Sequence, residues 1–247
     1  VNSRHRPERA GAGARPRGLL RCAAALAAGT GGTSGGAAMA EGRIITIAQQ
    51  KGGSGKTTLA ANLAVAWTRA GHSVALIDTD PQGSLGRWFM TRIERMEAPD
   101  MEFSTSSAWG VGYETRKLAG SHDFVIVDTP PKADSDLRPG LRAADLVLVP
   151  VASSHVDLWA TEGVLDLARR EGKPAMLVMN RARAGTRLGA EVAEAARALE
   201  AMVADTALAH RVVYAETLGQ GLGALEAPKT PARDEIGALA EEVARHL

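Results

Sequence analysis

Cysteine is nearly absent from this chain of 247 residues. Cys22 is the only one, so the sequence can build neither a disulfide framework nor a cysteine-ligated metal cluster. Scarce cysteine is also typical of proteins from a reducing compartment. No run of about 18 consecutive apolar residues occurs, which argues against a transmembrane helix. The composition otherwise suits one globular domain, with 45% hydrophobic and 23% charged residues.

Net charge is also small, and it is unevenly distributed. The formal net charge is +1, but residues 1–40 carry +5 because they hold six arginines and a single acid, Glu8. The remaining residues therefore carry −4, the difference between those two values. A mildly acidic body excludes DNA binding through bulk charge, so any contact with DNA requires a local basic patch.

Residues 1–42 form a leader rich in arginine, alanine and glycine, without apolar periodicity. Such a composition buries too little apolar surface to offset the entropy of ordering, which predicts disorder. The leader could be a targeting peptide, because it is arginine-rich and poor in acids. It could also be a functional basic arm. We favour a third interpretation, a start assigned too far upstream, because residue 1 is Val and Met39 stands just before the first predicted strand.

From residue 43 to 247, short apolar segments alternate with segments of helical periodicity. The predicted strands are Ile44–Ala48, Val74–Ile77, Met101–Ser104, Phe124–Val127, Leu146–Val149 and Met176–Met179. The predicted helices are Lys56–Ala70, Gln82–Ile93, Tyr113–Ala119, Val156–Arg170, Leu188–Met202 and Asp234–His246. Because most of these strands are apolar throughout, both faces of the sheet should be covered. The pattern predicts an α/β fold, a doubly wound, mostly parallel sheet with helices on both faces.

A glycine-rich phosphate-binding loop (P-loop) follows the first predicted strand and precedes the first predicted helix. Its glycines allow a tight turn whose N–H groups point at phosphate oxygens, and the helix N-terminus adds positive potential. Lys56 should reach the β- and γ-phosphates, and the Thr57 hydroxyl should bind Mg²⁺. The sequence thus predicts ATP and Mg²⁺ as ligands, with the nucleotide held by Lys51, Gly52, Gly53, Ser54, Gly55, Lys56, Thr57 and Thr58.

An additional lysine, Lys51, opens this loop, giving the pattern Lys-Gly-Gly-x-Gly-Lys-Thr-Thr. The pattern resembles the ParA/MinD group of deviant-Walker ATPases, and the resemblance covers about residues 43–247. It implies a P-loop ATPase domain in which Lys51 crosses a dimer interface and contacts the phosphates of the partner's nucleotide. A second cation near the γ-phosphate would neutralise the charge that develops during transfer.

The segment Asp78-Thr79-Asp80-Pro81-Gln82 follows the second predicted strand, at the edge where open α/β sheets bind ligands. In isolation it could be a helix cap with proline at the first helical position. Beside a P-loop it resembles the family's switch I, which implies that Asp80 orients the attacking water. Positioning matters more than basicity in phosphoryl transfer. The predicted catalytic residues are Lys51, Lys56 and Asp80.

Two further strand ends complete the predicted site. Asp128 ends an apolar strand in the manner of a Walker B aspartate and should hold Mg²⁺ through water, while Thr129-Pro130-Pro131 should open switch II. Asn180, after the sixth predicted strand, matches the family position that contacts adenine. The predicted metal-site residues are Thr57, Asp80 and Asp128.

The resemblance is closest to small, single-domain partition ATPases. It implies a homodimer formed with ATP, non-specific binding to nucleoid DNA, and a ParB-like or other adaptor protein that stimulates hydrolysis. The cargo would be a plasmid or chromosome locus, or a protein cluster, and the location would be cytoplasmic and nucleoid-associated. DNA contacts are predicted at Arg181, Arg183, Arg187 and Arg211.

Two alternatives stay open. A membrane-cycling regulator like MinD needs a basic amphipathic terminal helix. Here Asp234–His246 pairs its apolar face with an acidic one, which predicts docking on the domain and no membrane partner. A metabolic ligase on the same P-loop scaffold is the other alternative. An iron–sulfur reductase lacks its cysteines, and a tyrosine autokinase lacks its tyrosine-rich tail, since only Tyr113 and Tyr214 are present.

Overall fold

The computed structural model describes residues 41–107, 109–131, 134–152, 154–183, 187–199 and 201–247. The predicted disordered leader lies almost wholly outside these residues. Within them, seven parallel strands form one sheet in the order β3-β2-β4-β1-β5-β6-β7. The strands are β1 Arg43–Ile47, β2 Val74–Asp78, β3 Glu102–Thr105, β4 Phe124–Asp128, β5 Leu146–Ala152, β6 Ala175–Asn180 and β7 Met202–Val203.

Helices connect the strands in the manner of a doubly wound sheet, which confirms the predicted fold class. They are α1 Lys56–Arg69, α2 Ser84–Met96, α3 Val111–Ala119, α4 Asp134–Ala143, α5 His155–Arg170, α6 Arg187–Arg197, α7 Val212–Gly219 and α8 Pro231–Arg245. A short 3₁₀ helix, Ala224–Glu226, lies between α7 and α8.

The central strands bury both of their faces, as their unbroken apolar sequences predict. Along β4, Ile126 packs into the core shared with α1, α2, α7 and α8. Its neighbours Val125 and Val127 pack on the opposite face against α3. On that same face, β5 packs against α4 and α5 through residues such as Val147 and Val149. This two-sided burial fixes the sheet register, because a slip of one residue would exchange the faces.

The predicted helix Leu188–Met202 is wrong at its C-terminal end. The helix ends at Arg197, and Met202–Val203 forms the edge strand β7, in which Met202 pairs with Met176. The apolar residues after Arg197 continue the helical period, but pairing with the exposed edge of β6 overrides that local preference.

The sequence analysis did not predict α4, because Pro139 lies inside this helix and is followed by Gly140. The helix packs on β1 at Gly140, where a Cβ would stand at an ordinary contact distance of 3.5 Å from the methyl carbons of Thr46 and Thr129. The Gly140 carbonyl accepts a hydrogen bond from the Thr46 hydroxyl at 2.8 Å. Tertiary packing on β1 therefore sustains a helix that local propensity does not indicate. Helix α7 was also not predicted.

Helix α8 docks on the domain, as its amphipathic pattern predicts. Its apolar residues, among them Ile236 and Leu239, are buried in the core shared with α1. One acid of the polar face is also buried: Glu242 accepts the N–H groups of Asp205 and Thr206. Glu242 therefore anchors a loop to α8.

Candidate nucleotide-binding site

The candidate site lies at the carboxyl edge of the sheet, beside the central strand β1. Strand β1 pairs with β4 on one side and β5 on the other, and the chain leaves it directly into the P-loop. The connections on the two sides of β1 diverge there, which makes this edge the usual ligand crevice of a doubly wound sheet.

The P-loop turns through two glycines in the left-handed region, Gly53 with φ +74° and Gly55 with φ +94°. Gly55 is the residue that caps the N-terminus of α1. A Cβ at Gly55 would lie 2.2 Å from the side-chain nitrogen of Asn180, so both backbone strain and contact require glycine at this position.

Asn180 holds the P-loop in this structure. Its side-chain nitrogen donates to the Ser54 carbonyl at 2.7 Å, and its side-chain oxygen accepts the N–H of Arg181 at 2.9 Å. Arg181 has φ +53°, an uncommon conformation for a residue with a side chain. Both polar atoms of the amide are therefore engaged, which makes Asn180 a support of the loop in addition to its predicted role at adenine.

Lys56, the predicted phosphate lysine, is buried at the first position of α1. Its ammonium donates to the carbonyl of Gln49 at 3.1 Å, across the mouth of the loop. Burial lowers the pKa of Lys56, while the nearby carboxylates of Asp128 and Asp80 oppose that shift. A buried cation with one neutral partner is suited to an anionic ligand such as a phosphate.

Thr57 and Asp128 meet beneath the loop, as predicted for a Mg²⁺ site. The Thr57 hydroxyl donates to one carboxylate oxygen of Asp128 at 2.6 Å, and the other oxygen is buried without a hydrogen-bond partner. Burial raises the pKa of Asp128 to about 7, although the hydrogen bond from Thr57 opposes the shift. A hydroxyl beside an unsatisfied carboxylate oxygen fits a hard divalent cation.

Asp80 lies in a turn between β2 and α2, rather than at a helix cap. Its carboxylate accepts the N–H of Gln82 at 2.9 Å, and the helix begins later, at Ser84 after Gly83. Asp78 holds this turn, because its oxygens accept the N–H groups of Asp80 and Gly86. Asp80 is half-buried and close enough to Lys56 to affect its pKa. The turn therefore brings the predicted water-orienting carboxylate to the P-loop.

Lys51, the additional lysine, lies at a different place from Lys56. Its ammonium contacts the carboxylate of Asp157, on the first turn of α5, and its side chain is 40% exposed. Asp157 is a site residue that the sequence analysis missed. The pattern Ser154-x-x-Asp157 before an apolar run could have identified the start of this helix, though not the contact with Lys51.

A cavity of about 710 Å³ adjoins the P-loop helix. Thr58 and Asn62 of α1 line one side, and Trp88 of α2 lines another. The remaining wall comes from Asn180, Arg181, residues 208–212 and α7. This volume is ample for a bound small molecule. Asn180, the residue predicted to contact adenine, is among the residues that line the cavity.

The four arginines predicted to contact DNA differ in what surrounds them. Arg187, at the start of α6, is 93% exposed and pairs with Glu191 at 2.7 Å. Arg181 and Arg183 are exposed in the preceding segment. Arg211 is instead held by Glu235 of α8, through two nitrogens at 2.9 and 2.6 Å. Its side chain is 34% exposed, against 93% for Arg187.

The described part of the chain lacks two features that would point to other functions. No group of three or more His, Cys, Asp or Glu side chains there could hold a metal ion. None of the described helices is both long and apolar enough to cross a bilayer.

Known proteins match this chain over most of its length. Residues 45–225 match the family described as the CobQ/CobB/MinD/ParA nucleotide binding domain. The maintenance of carboxysome distribution protein A of Halothiobacillus neapolitanus is 31% identical over 208 residues, covering 81% of this chain and 95% of that protein. The chromosome-partitioning ATPase Soj of Thermus thermophilus is 32% identical over 151 residues, covering 51% of this chain and 59% of Soj.

Among solved structures, an ATP complex of a variant McdA from Cyanothece superposes with a TM-score of 0.70 at 17% identity. The superposition covers 83% of this chain and 97% of that one. At this identity the likeness concerns the fold alone, and the fold agrees with the one predicted. From the family match, the relative covered over nearly its full length and the P-loop geometry, the chain belongs to the CobQ/CobB/MinD/ParA nucleotide-binding domain family and is similar to the ParA-like positioning ATPases within it.

Proposed function

We propose that this chain is an ATP-hydrolysing positioning ATPase. It forms a homodimer with ATP, binds DNA without sequence preference, and releases DNA when an adaptor protein stimulates hydrolysis. One observation carries the proposal: the chain has two loop lysines with separate surroundings. Lys56 is buried in the P-loop, and Lys51, at the start of the loop, is partly exposed and contacts Asp157 of α5. An enzyme that used only its own subunit would need one phosphate lysine.

The residues of the P-loop would hold ATP and Mg²⁺. Thr57 and Asp128 fit the cation, since they leave one buried carboxylate oxygen without a partner. The cation, when bound, neutralises charge on the phosphates. Lys56 would give up the Gln49 carbonyl for a phosphate oxygen, and Asn180 would keep the loop in place at the base side of the site.

Asp80 is the residue proposed to position water for hydrolysis. Its carboxylate is fixed by a local turn, and that turn is anchored on the buried Asp78. A carboxylate held in this way can orient a water molecule at little entropic cost. Such positioning supplies the larger part of catalysis in phosphoryl transfer.

The surface around Lys51 supports dimerisation. Val156 is 57% exposed and Trp159 is 66% exposed, both on the first turns of α5 that carry Asp157. Large exposed apolar side chains beside a functional charge are typical of a surface that another protein covers. A second copy of the chain would cover this surface and bring its own Lys51 to the opposite site.

DNA binding would depend on that dimer. The body of the chain is net acidic, so one subunit offers few phosphate contacts, whereas two copies would place two sets of Arg181, Arg183 and Arg187 together. Arg211 is a weaker candidate because Glu235 already holds it. Such a dimer would locate to the nucleoid in the cytoplasm.

The cargo is proposed to be a protein assembly. The relative named for carboxysome distribution aligns over 95% of its length, whereas the chromosome-partitioning relative aligns over 59% of its own. A plasmid or chromosome locus is the competing cargo, and the adaptor would then be ParB-like. Imaging the tagged protein with a candidate assembly or a labelled locus separates the two.

The direct test is DNA binding by the Asp80→Ala variant, which should retain ATP without turnover. Binding to unrelated duplexes should require ATP and weaken steeply with salt. If the dimer neutralises roughly four to eight phosphates, log K should fall against log salt with a slope of about −4 to −7. Replacing Arg183 and Arg187 by alanine should flatten that slope.

The matched control replaces Arg169 and Arg170 by alanine, which removes the same charge at the C-terminal end of α5. This control should leave the slope unchanged. Equal DNA binding in ADP and ATP, or none in either, would contradict the positioning function. A metabolic ligase on the same scaffold would then be the better reading.

A further inference from the structure

The three residues that lead into the P-loop all lie against α5. Gln49 donates its side-chain N–H to the Thr161 hydroxyl at 3.0 Å and to the Pro150 carbonyl at 3.2 Å. The side-chain oxygen of Gln50 lies 3.0 Å from where a Cβ at Gly163 would stand. Helix α5 therefore supports the entry to the P-loop through contacts with the side chains of Gln49 and Gln50.

Lys51 is the third of these residues. Its partner on α5 is charged, unlike Thr161 and Gly163. The ammonium of Lys51 contacts the carboxylate of Asp157, whose side chain is only 8% exposed. Lys51 itself is 40% exposed, so one end of the pair is fixed in the protein while the other can leave. In this arrangement the additional lysine is bound within its own subunit.

Asp157 keeps other polar contacts when Lys51 leaves. Ser154, the cap of α5, donates its hydroxyl to the Asp157 carboxylate and accepts the N–H of Asp157 at 3.2 Å. The carboxylate also lies in the first turn of α5, where the helix dipole favours negative charge. Breaking a buried ion pair is costly when it leaves a charge uncompensated, and these contacts reduce that cost.

We propose that Asp157 is a positioning residue that retains Lys51 on its own subunit until the phosphates of a partner's nucleotide replace it. The proposal rests on the proposed function, in which Lys51 contacts nucleotide on the other subunit. Asp157 and the partner's phosphates then compete for one ammonium group. Without nucleotide, the Asp157 carboxylate suppresses dimerisation. It also sets the concentrations of ATP and of protein at which the dimer forms.

The test measures the dimer dissociation constant by sedimentation in Mg²⁺ and ATP, with Asp80→Ala as the parent so that hydrolysis does not intervene. Adding Asp157→Asn should tighten the dimer. A partly exposed ion pair is worth at most about fivefold in an equilibrium constant. Since both lysines must be released, the dissociation constant should fall by up to about 25-fold and by at least about threefold.

Two further variants separate positioning from general structure. Asp157→Glu keeps the carboxylate and should return the dissociation constant close to that of the parent. Asp166→Asn is the matched control, because Asp166 lies on the same helix and pairs with Arg169 at 2.6 Å, away from the P-loop. It should leave dimerisation unchanged. ATP affinity at protein concentrations below dimerisation should be equal in all variants, because Asp157 does not line the nucleotide's own site.

The outcomes separate a failure of this proposal from a failure of the proposed function on which it rests. A parent that stays monomeric in ATP would overturn the proposed function, and this proposal with it. A parent that dimerises, with Asp157→Asn dimers of equal or weaker affinity, would overturn only the role of Asp157. Tightening by Asp166→Asn or Asp157→Glu as large as that by Asp157→Asn would also overturn it, since the effect would then not depend on the carboxylate that holds Lys51.

Discussion

The phosphate end of the site and the arginine segment after β6 both carry functional charge, but they hold it differently. At the phosphate end, Lys56 is 7% exposed and bonded to the loop, and Asp128 is buried and bonded to Thr57. In the arginine segment, Arg187 is almost fully exposed, and its partner Glu191 is one helical turn away on the same helix. The first region is preorganised by its surroundings, and the second is not.

This difference separates what one subunit can do from what requires two. Buried charges act strongly on a bound ligand because little water screens them, so nucleotide binding should be a property of the monomer. Exposed arginines act weakly one by one and are screened by salt, so DNA binding should depend on assembling many of them.

Lys56→Ala should abolish ATP binding, with a loss of at least about 100-fold, because it removes a desolvated cation from the phosphates. Titration with a fluorescent ATP analogue measures this directly. Lys117→Ala is the control, since Lys117 is an exposed lysine of α3 that pairs with Glu114 at 3.3 Å. A Lys56→Ala protein that bound ATP normally would show that the phosphates lie elsewhere.

Asp80→Ala should reduce the rate of ATP hydrolysis by about 100-fold or more while ATP affinity changes less than about threefold, because the residue positions water rather than nucleotide. Asp80→Asn can still accept the N–H of Gln82 through its amide oxygen and so preserves the turn. It should lose hydrolysis as well. Normal hydrolysis by Asp80→Asn would assign the water-positioning role to another group.

Asp128 should make the stability of the nucleotide-free, Mg²⁺-free protein depend on pH. Its pKa is raised from the ordinary value of 3.8 to about 7 in the folded state. The protonated carboxyl therefore stabilises the fold fully when the pH is below the pKa of 3.8 in the unfolded chain. This stabilisation, a few kcal/mol, is lost as the pH rises through the folded pKa of about 7. Asp128→Asn should remove that slope in thermal melts. Mg²⁺ with ATP should bind more tightly as pH rises through 7, with release of a proton.

Arg211→Ala should have the smallest effect on DNA binding among the four arginines, because Glu235 already engages its guanidinium. We expect less than about a twofold change in DNA affinity and only a small loss of stability, because solvent screens the pair. Fluorescence anisotropy with a duplex and urea unfolding measure the two effects. A large loss of DNA affinity, equal to that of the Arg183 and Arg187 double variant, would show that the partly buried Arg211 contributes as much as these two exposed arginines.

The sequence predicted what depends on local chemistry, and the structure supplied what depends on contacts between distant segments. The P-loop, Thr57 and Asp128 follow from glycine spacing and from polar residues at the ends of apolar strands. The contact of Lys51 with Asp157 joins residues far apart in sequence, and no spacing rule predicts it. Helix α4 and strand β7 were missed for the same reason, since packing on β1 and pairing with β6 override the local signals at Pro139 and Met202.

The central claim is that ATP turns this chain into a dimer through Lys51. Sedimentation of the Asp80→Ala variant at micromolar concentration, in Mg²⁺ with ATP or ADP, tests it most directly. We expect twice the monomer mass of 25.8 kDa with ATP, the monomer mass with ADP, and the monomer mass in both nucleotides when Lys51→Ala is added. A monomer in saturating ATP, or a dimer that persists without Lys51, would contradict it.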